Sequence, residues 1–278
     1  MKLRKINYFG LLSHILIGII AFISLFPILW MLLISFKSPG ETISGFSSLF
    51  ISNPTYNNFV DIFDRIPMWT SFYNSLFTTT LGTVTTLFFC SLAGFGFAKY
   101  KFPGRDFLFY FVIATLLVPP EAGAIPLFII MRRLSLINSL WSVIIPEAAT
   151  AIGIFYMRQY IIDVPDEILE SARIDGASEF KIYYKLILPI IKPAAATWAL
   201  LVIVARWNNF FWPLIFLRDT AKHTLMVSIS LLPVSQGLST PWPVIMAGTT
   251  LAVLPVIIVY LLLQKFQKAG ITTGAVKG

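Results

Sequence analysis

Charge is scarce in this sequence: of 278 residues only 12% are Asp, Glu, Lys or Arg, while 57% are hydrophobic. Soluble domains carry about 25% charged and roughly 45–50% apolar residues. A soluble core of this size could not be clothed with what remains, because its exterior must still face water. The mean hydropathy of +0.80 points to lipid as the solvent. Cysteine is nearly absent too. Cys90, in the apolar stretch TLFFCSLAG, is the sole one. It excludes any disulfide within the chain and any CxxC or Cys/His metal site, and its expected role is packing. No G-x-x-x-x-G-K-[ST] phosphate loop occurs, so ATP is not held here in the usual way. H-E-x-x-H and G-x-S-x-G are missing as well. His14 and His223 stand apart, and the carboxylates Asp61/Asp64 and Asp163/Asp166/Glu167 lack the density of a diphosphate-magnesium site. No catalytic residue, metal site or cofactor is expected in the chain itself.

What is present is a series of apolar runs. A bilayer core of about 30 Å takes roughly 20 residues of helix, and six stretches qualify, at about 11–36, 72–98, 107–131, 139–158, 187–216 and 243–264. Isolated strands would leave amides unpaired in lipid, and barrel-type alternation is missing, so the expected class is an all-α integral membrane protein with six transmembrane helices. The first run is too long for the roughly 7–15 apolar residues of a signal peptide and no cleavage site follows it, so it should remain as a helix. Pro119-Pro120 in the third stretch and Pro189 and Pro193 at the start of the fifth predict kinks. Short polar linkers and the lack of low-complexity tracts suggest one membrane domain over 1–278, with a core at about 70–266.

The formal charge of +8 would suggest nucleic acid in a soluble protein, but here the basic residues flank apolar runs. With six spans, fourteen of the 21 Lys and Arg fall on the side of the two termini and six on the other, Arg206 lying within span five. The positive-inside rule then places both termini in the cytoplasm, with lipid rather than nucleic acid as partner. Trp69, Trp141 and Trp242 sit near span ends, as an aromatic belt would, and Gly94 with Ala98 forms a small-xxx-small pair that lets a neighbouring helix approach.

The polar segment 161–193, IIDVPDEILESARIDGASEFKIYYKLILPIIKP, stands out between spans four and five. Pro165 suits a first helical turn, with Asp166 and Glu167 complementing the helix dipole. Ile168, Leu169 and Ala172 recur at helical spacing, Gly176 stops the helix, and Ser178 can cap a second one running through Lys185 toward Leu188-Pro189. The expectation is a helix–turn–helix on the cytoplasmic side with an apolar face turned outward. Such a face either docks in a partner's groove or lies on the lipid surface.

Glu170-Ser171-Ala172, Asp175-Gly176-Ala177 and Leu188-Pro189 resemble the EAA motif of bacterial ABC-importer permeases, E-A-A-x-x-x-G ending in L-P, departing from it at Ser171. AGFGFAKYKFPGR (93–105), IPLFIIMRRLSLINS (125–139), RWNNFFWPLIFL (206–217) and GITTGAVKG (270–278) are similar to the maltose-type carbohydrate permeases, so the likeness spans nearly the whole chain. The resemblance implies a six-helix core and a coupling helix at this loop that seats on a cytoplasmic ATPase dimer. It makes Glu170 and Gly176 the main contacts, and it implies that ATP and magnesium are bound by that partner. It also implies a second homologous permease subunit, an extracytoplasmic solute-binding protein, and import of a sugar or oligosaccharide. A polyol or phosphodiester importer of the same family, an ion-coupled carrier working alone and an intramembrane enzyme remain as alternatives.

Charged residues inside a membrane are functional hypotheses by default. Glu121 and Glu147 follow prolines, and Arg206 sits beside Trp207, Asn208, Asn209 and Trp212. That cluster of donors and flat rings suits a sugar, and equally suits polar contacts between helices.

Overall fold

The computed structural model describes residues 8–232 and 240–275. Every regular element among them is helical. The chain divides into two compact units, Met1–Ile66 with Ile229–Val253, and Pro67–Ser228 with Leu254–Gly278.

The first unit contains α1 (Tyr8–Ser35) and α2 (Asn57–Arg65). Helix α1 is apolar all round and almost wholly exposed, as at Ile17 and Ile20, which suits lipid contact rather than a protein core. Its C-terminal carbonyls need partners. Asn58 of α2 supplies one, donating its amide to Ser35 O at 2.8 Å and to Lys37 O at 2.7 Å. Lys37, 1% exposed, donates to the carbonyls of Thr42 and Phe50 and lies 3.8 Å from Glu41.

The second unit is organised on α3 (Met68–Lys99), which packs mainly against α7 (Ala151–Ile162) and α11 (Lys192–Trp207). Gly94 accounts for the α3–α7 approach: a Cβ there would lie 2.9 Å from the Arg158 nitrogen and from Met157 Cβ. Close backbone approach is what the small-residue pair predicts, and Ala98 packs into the same core. Cys90 is fully buried there and receives the Thr150 amide at 3.4 Å, a packing role as expected.

Among the described residues, three helices are long and apolar enough to cross a membrane: Leu12–Ser35, Met68–Lys99, and Trp242–Gln264 within α13 (Trp242–Ala275). Two further candidates are bent pairs. Arg105–Leu117, which contains α4 (Arg105–Ala114), turns by 96° into Pro120–Arg133, which contains α5 (Ala124–Arg133). Glu179–Ile190 turns by 79° into α11. The breaks fall at Pro119-Pro120 and around Ile191, between Pro189 and Pro193, where proline was expected to interrupt the helix. The stretch 139–158 is divided instead into α6 (Trp141–Ile144), a 3₁₀ turn (Ile145–Glu147) and α7, so length and composition give three spans, or five with the bent pairs, where six were expected. Trp69, Trp141 and Trp242 are all exposed.

Candidate functional site

The segment between α7 and α11 folds as an elbow. Helix α8 (Asp166–Ile174) starts after Pro165, with Asp166 and Glu167 in its first turn. It ends in a Schellman motif: the Ala177 amide donates to Ala172 O at 2.9 Å, the Gly176 amide to Arg173 O at 3.0 Å, and Gly176 takes φ +76°. Helix α9 (Glu179–Ile182) follows, with the Ser178 hydroxyl accepting from the Lys181 amide. The chain then widens into a π-helical turn, Tyr183–Ile187, before α10 (Leu188–Ile190). The π turn is not foreshadowed by residue type or spacing.

The elbow is pinned to the helices beside it. Lys99, at the end of α3, donates to Asp166 Oδ1 at 2.7 Å and to the carbonyls of Ile162 and Val164 at the end of α7. This bond holds the Asp166 carboxyl below its usual range. Glu179 is held low chiefly by the Arg173 guanidinium, 2.8 Å away, and then by the Tyr100 hydroxyl, which donates to it. Burial, and then that contact with Glu179, pushes the Tyr100 phenol up to about 12. Deeper in, Tyr183 (1% exposed) shares a 2.7 Å hydrogen bond with Ser91.

The apolar face of α8 corrects the expectation. Leu169 is buried and Ala172 packs with it against a core containing Phe95, Met157, Ile161 and Ile182, so these two point into the chain's own helices, while Ile168 is 41% exposed. A 3.6-residue period shows that one face is apolar, not which neighbour covers it. The exposed part of the elbow includes Glu170, Ser171, Arg173, Ile174, Asp175 and Gly176, with Ile174 87% exposed. The Ser171 hydroxyl donates back to Glu167 O at 2.8 Å, so the departure from alanine adds no unsatisfied group. Of the final pair, Leu188 packs partly in the core and Pro189 is exposed.

A second polar cluster lies around Arg206, near the C-terminus of α11 and 8% exposed. Its guanidinium donates to Thr86 Oγ1 at 3.0 Å, Glu147 O at 2.8 Å and Val143 O at 3.4 Å, and stands 3.5 Å from the Glu147 carboxylate. Gly82 makes the space. Two cavities, of about 290 and 280 Å³, share Glu147 and Thr150 on their walls; the first extends to Arg206 and Trp198, the second to Trp212 and Pro120. Among the described residues no group of three His, Cys, Asp or Glu could hold a metal ion.

Residues 88–273 match the family of binding-protein-dependent transport system inner membrane components. The chain belongs to that family. Over the full length of both chains, this permease is 36% identical to the arabinooligosaccharides transport system permease protein AraQ of Halalkalibacterium halodurans. It is 37% identical to the AraQ of Bacillus subtilis over 91% of each chain. Its fold matches a chain from the crystal structure of a bacterial ABC transporter involved in the import of the acidic polysaccharide alginate, with a TM-score of 0.82, 29% identity, and coverage of 95% of this chain and 98% of that one. Family membership sets aside the solitary ion-coupled carrier and the intramembrane enzyme.

The permease's tryptophan and asparagine cluster is dispersed rather than gathered round one ligand. Trp207 is buried, edge-on to Phe72 at 5.7 Å. Asn208 donates its amide back to Val204 O, and Asn209 Oδ1 accepts from the Trp212 amide, so both cap helix ends. Of the four, only Trp212 lines one of these two cavities. Glu121 is exposed in the 3₁₀ turn Pro120–Gly123. The pairing of Arg206 with Glu147, 59 residues apart, has no local signal beyond the rarity of both charges in apolar surroundings. Residues 276–278 of the glycine-rich tail lie outside the described residues.

Proposed function

We propose that this permease is one of two homologous membrane subunits of an ATP-driven importer for a sugar or oligosaccharide handed over by an extracytoplasmic binding protein. The chain forms one transmembrane domain with its core at about 70–266, and 139–158 completes six crossings as a broken span. Both termini face the cytoplasm. The loop 161–193 meets the ATPase dimer, which binds the nucleotide and magnesium. Glu170, Ser171, Ala172, Asp175, Gly176, Leu188 and Pro189 form the coupling element. The carbohydrate reading draws on the arabinooligosaccharide relatives and the alginate transporter.

The observation that carries the coupling role is the elbow's construction. Leu169, Ile182, Tyr183 and Ile187 root it in the core shared with α3 and α7, with Ala172 packed against them, while Glu170, Ser171 and Arg173 to Gly176 stand outside. A push on the exposed turn is thereby transmitted to the long helices rather than absorbed in a loop, as rigid-body rocking requires.

The sole cysteine is buried, so Glu170→Cys supplies a selectively reactive thiol. In the assembled complex it should form a disulfide with a cysteine placed on the ATPase surface and lose uptake when cross-linked. Labelling of Cys at 170 by a membrane-impermeant maleimide added outside intact cells would overturn the assignment.

A further inference from the structure

Two departures from α-helix border one cavity in the second unit, the bend before Pro120 and the stretch from Ile145 to Thr150, and α12 (Phe211–Phe216) adds Trp212 and Phe216 to its wall. Broken backbone at membrane depth is tolerated where protein or a water-filled passage satisfies it. The cavity, of about 280 Å³, is lined by Pro120, Pro146, Glu147, Thr150, Trp212 and Phe216 among others. That is close to the lower end of the roughly 300–1,000 Å³ of small-molecule sites.

Two features of its wall select a ligand chemistry. Trp212 is stacked on Phe216, with centroids 5.6 Å apart and planes at 15°, which leaves a braced indole surface suited to the C–H face of a pyranose or furanose ring. Glu147 brings a carboxylate whose side chain is one-third exposed, and among the described residues no hydrogen bond uses its two oxygens. The nearest cation, Arg206, directs its shorter contacts to Thr86 and the Glu147 main chain.

We propose that this cavity seats one neutral sugar ring of the translocated glycan, with Trp212 against the ring face and Glu147 accepting from its hydroxyls, and that the same carboxylate rejects uronic-acid chains. The inference rests on the sugar-permease reading and adds a location and a charge preference to it. Two carboxylates within a few ångströms in a partly desolvated site repel strongly enough, even beside Arg206, to disfavour the acidic ligand by about tenfold or more.

The test is saturation-transfer NMR on the whole complex in nanodiscs, without the binding protein, using arabinotriose and trigalacturonate as probes. The wild type should transfer saturation to arabinotriose and at least tenfold less to trigalacturonate. Glu147→Gln should narrow that gap by raising the trigalacturonate signal. Trp212→Leu, which leaves the Glu147–Arg206 contact alone, should cut the arabinotriose signal about 3- to 10-fold. Equal transfer to both sugars in the wild type, transfer to neither, or an undiminished signal in Trp212→Leu would overturn the proposal. Uptake of both sugars by the wild-type complex with its binding protein is measured alongside. If a sugar is imported while the NMR pattern fails, the subsite is wrong and the transport reading survives; import of neither defeats both.

Discussion

Gly82→Ala adds one methyl group to α3 and should destabilise the permease by far more than a methyl usually does. A Cβ at Gly82 would stand 2.5 Å from Arg206 Nη1, 2.7 Å from Cζ and 2.9 Å from Nε. Ordinary contact is about 3.5–4.0 Å, so the guanidinium must retreat by about 1 Å. It has little freedom to do so, being held at 2.8 Å by Glu147 O and at 3.0 Å by Thr86. Losing one or two hydrogen bonds to a buried charge costs about 1.5–3 kcal/mol each. Replacing glycine within a helix returns about 0.5–1 kcal/mol. The net expectation is a loss of about 2–4 kcal/mol, or about 5–10 °C in Tm. Cys90, buried and alone, is a built-in reporter: a fluorogenic maleimide reads its exposure as the purified chain is heated. Gly96→Ala, in the same helix with nothing within 4 Å of the added Cβ, is the matched control and should be neutral or slightly stabilising. In an Arg206→Met background the cost of Gly82→Ala should largely vanish, a coupling that a double-mutant cycle measures. A Gly82→Ala chain melting with the Gly96→Ala control would refute the reasoning.

Gly94→Ala should separate α3 from α7, because the added Cβ meets main-chain atoms of Met157 and Arg158 that cannot swing aside; a cost of about 1–3 kcal/mol is expected in the same melt. The elbow should also loosen in acid. Asp166 and Glu179 have folded-state pKa values below the ordinary carboxylate range, so their stabilisation is present above about pH 4–5 and fades as pH falls through the folded values. A spin label at Ile174→Cys should hold constant mobility from neutrality to about pH 5 and gain mobility below that. The Lys99→Met variant should show a smaller acid response, and no gain in mobility below about pH 5 in the otherwise unaltered chain would mean the ion pairs do not hold the turn.

Much of the elbow was legible because its signals are local. Gly176 at the positive-φ turn, Ser178 as cap, Asp166 and Glu167 at the dipole end and the proline breaks each act within one helical turn of where they stand in the chain. The small pair at Gly94 and Ala98 was legible for a similar reason, since small side chains on one helix face permit close approach. What was not legible is what faces what. Leu169 reads as an outward docking face by period alone and is turned inward by Phe95 and Ile182, partners brought to it by the fold. Trp207 reads as a ligand ring and is a core residue. The Arg206–Glu147 contact depends on α3, the broken 139–158 stretch and α11 meeting, with Gly82 leaving the room, and no spacing rule carries that information.

The same long-range contact explains why a membrane-embedded arginine is tolerated here and why it sits where the backbone is irregular. The 3₁₀ turn at Ile145–Glu147 and the non-helical residues after it leave carbonyl groups without intrahelical partners. A hydrocarbon surround supplies none, so each would cost several kcal/mol, about as much as a buried polar group left unpaired. Arg206 meets one of them, Glu147 O, and also Val143 O of α6, with one planar group, and Thr86 adds a hydroxyl donating to Glu147 O at 2.8 Å. The break needs the cation for its carbonyls, and the cation needs the break for acceptors that a regular helix would keep to itself. With those carbonyls satisfied from the α3 and α11 side, the Glu147 carboxylate keeps its hydrogen-bonding capacity for the cavity. A structural guanidinium and a ligand-facing carboxylate are therefore compatible roles for one ion pair, and removing the arginine should disturb the fold before it disturbs recognition.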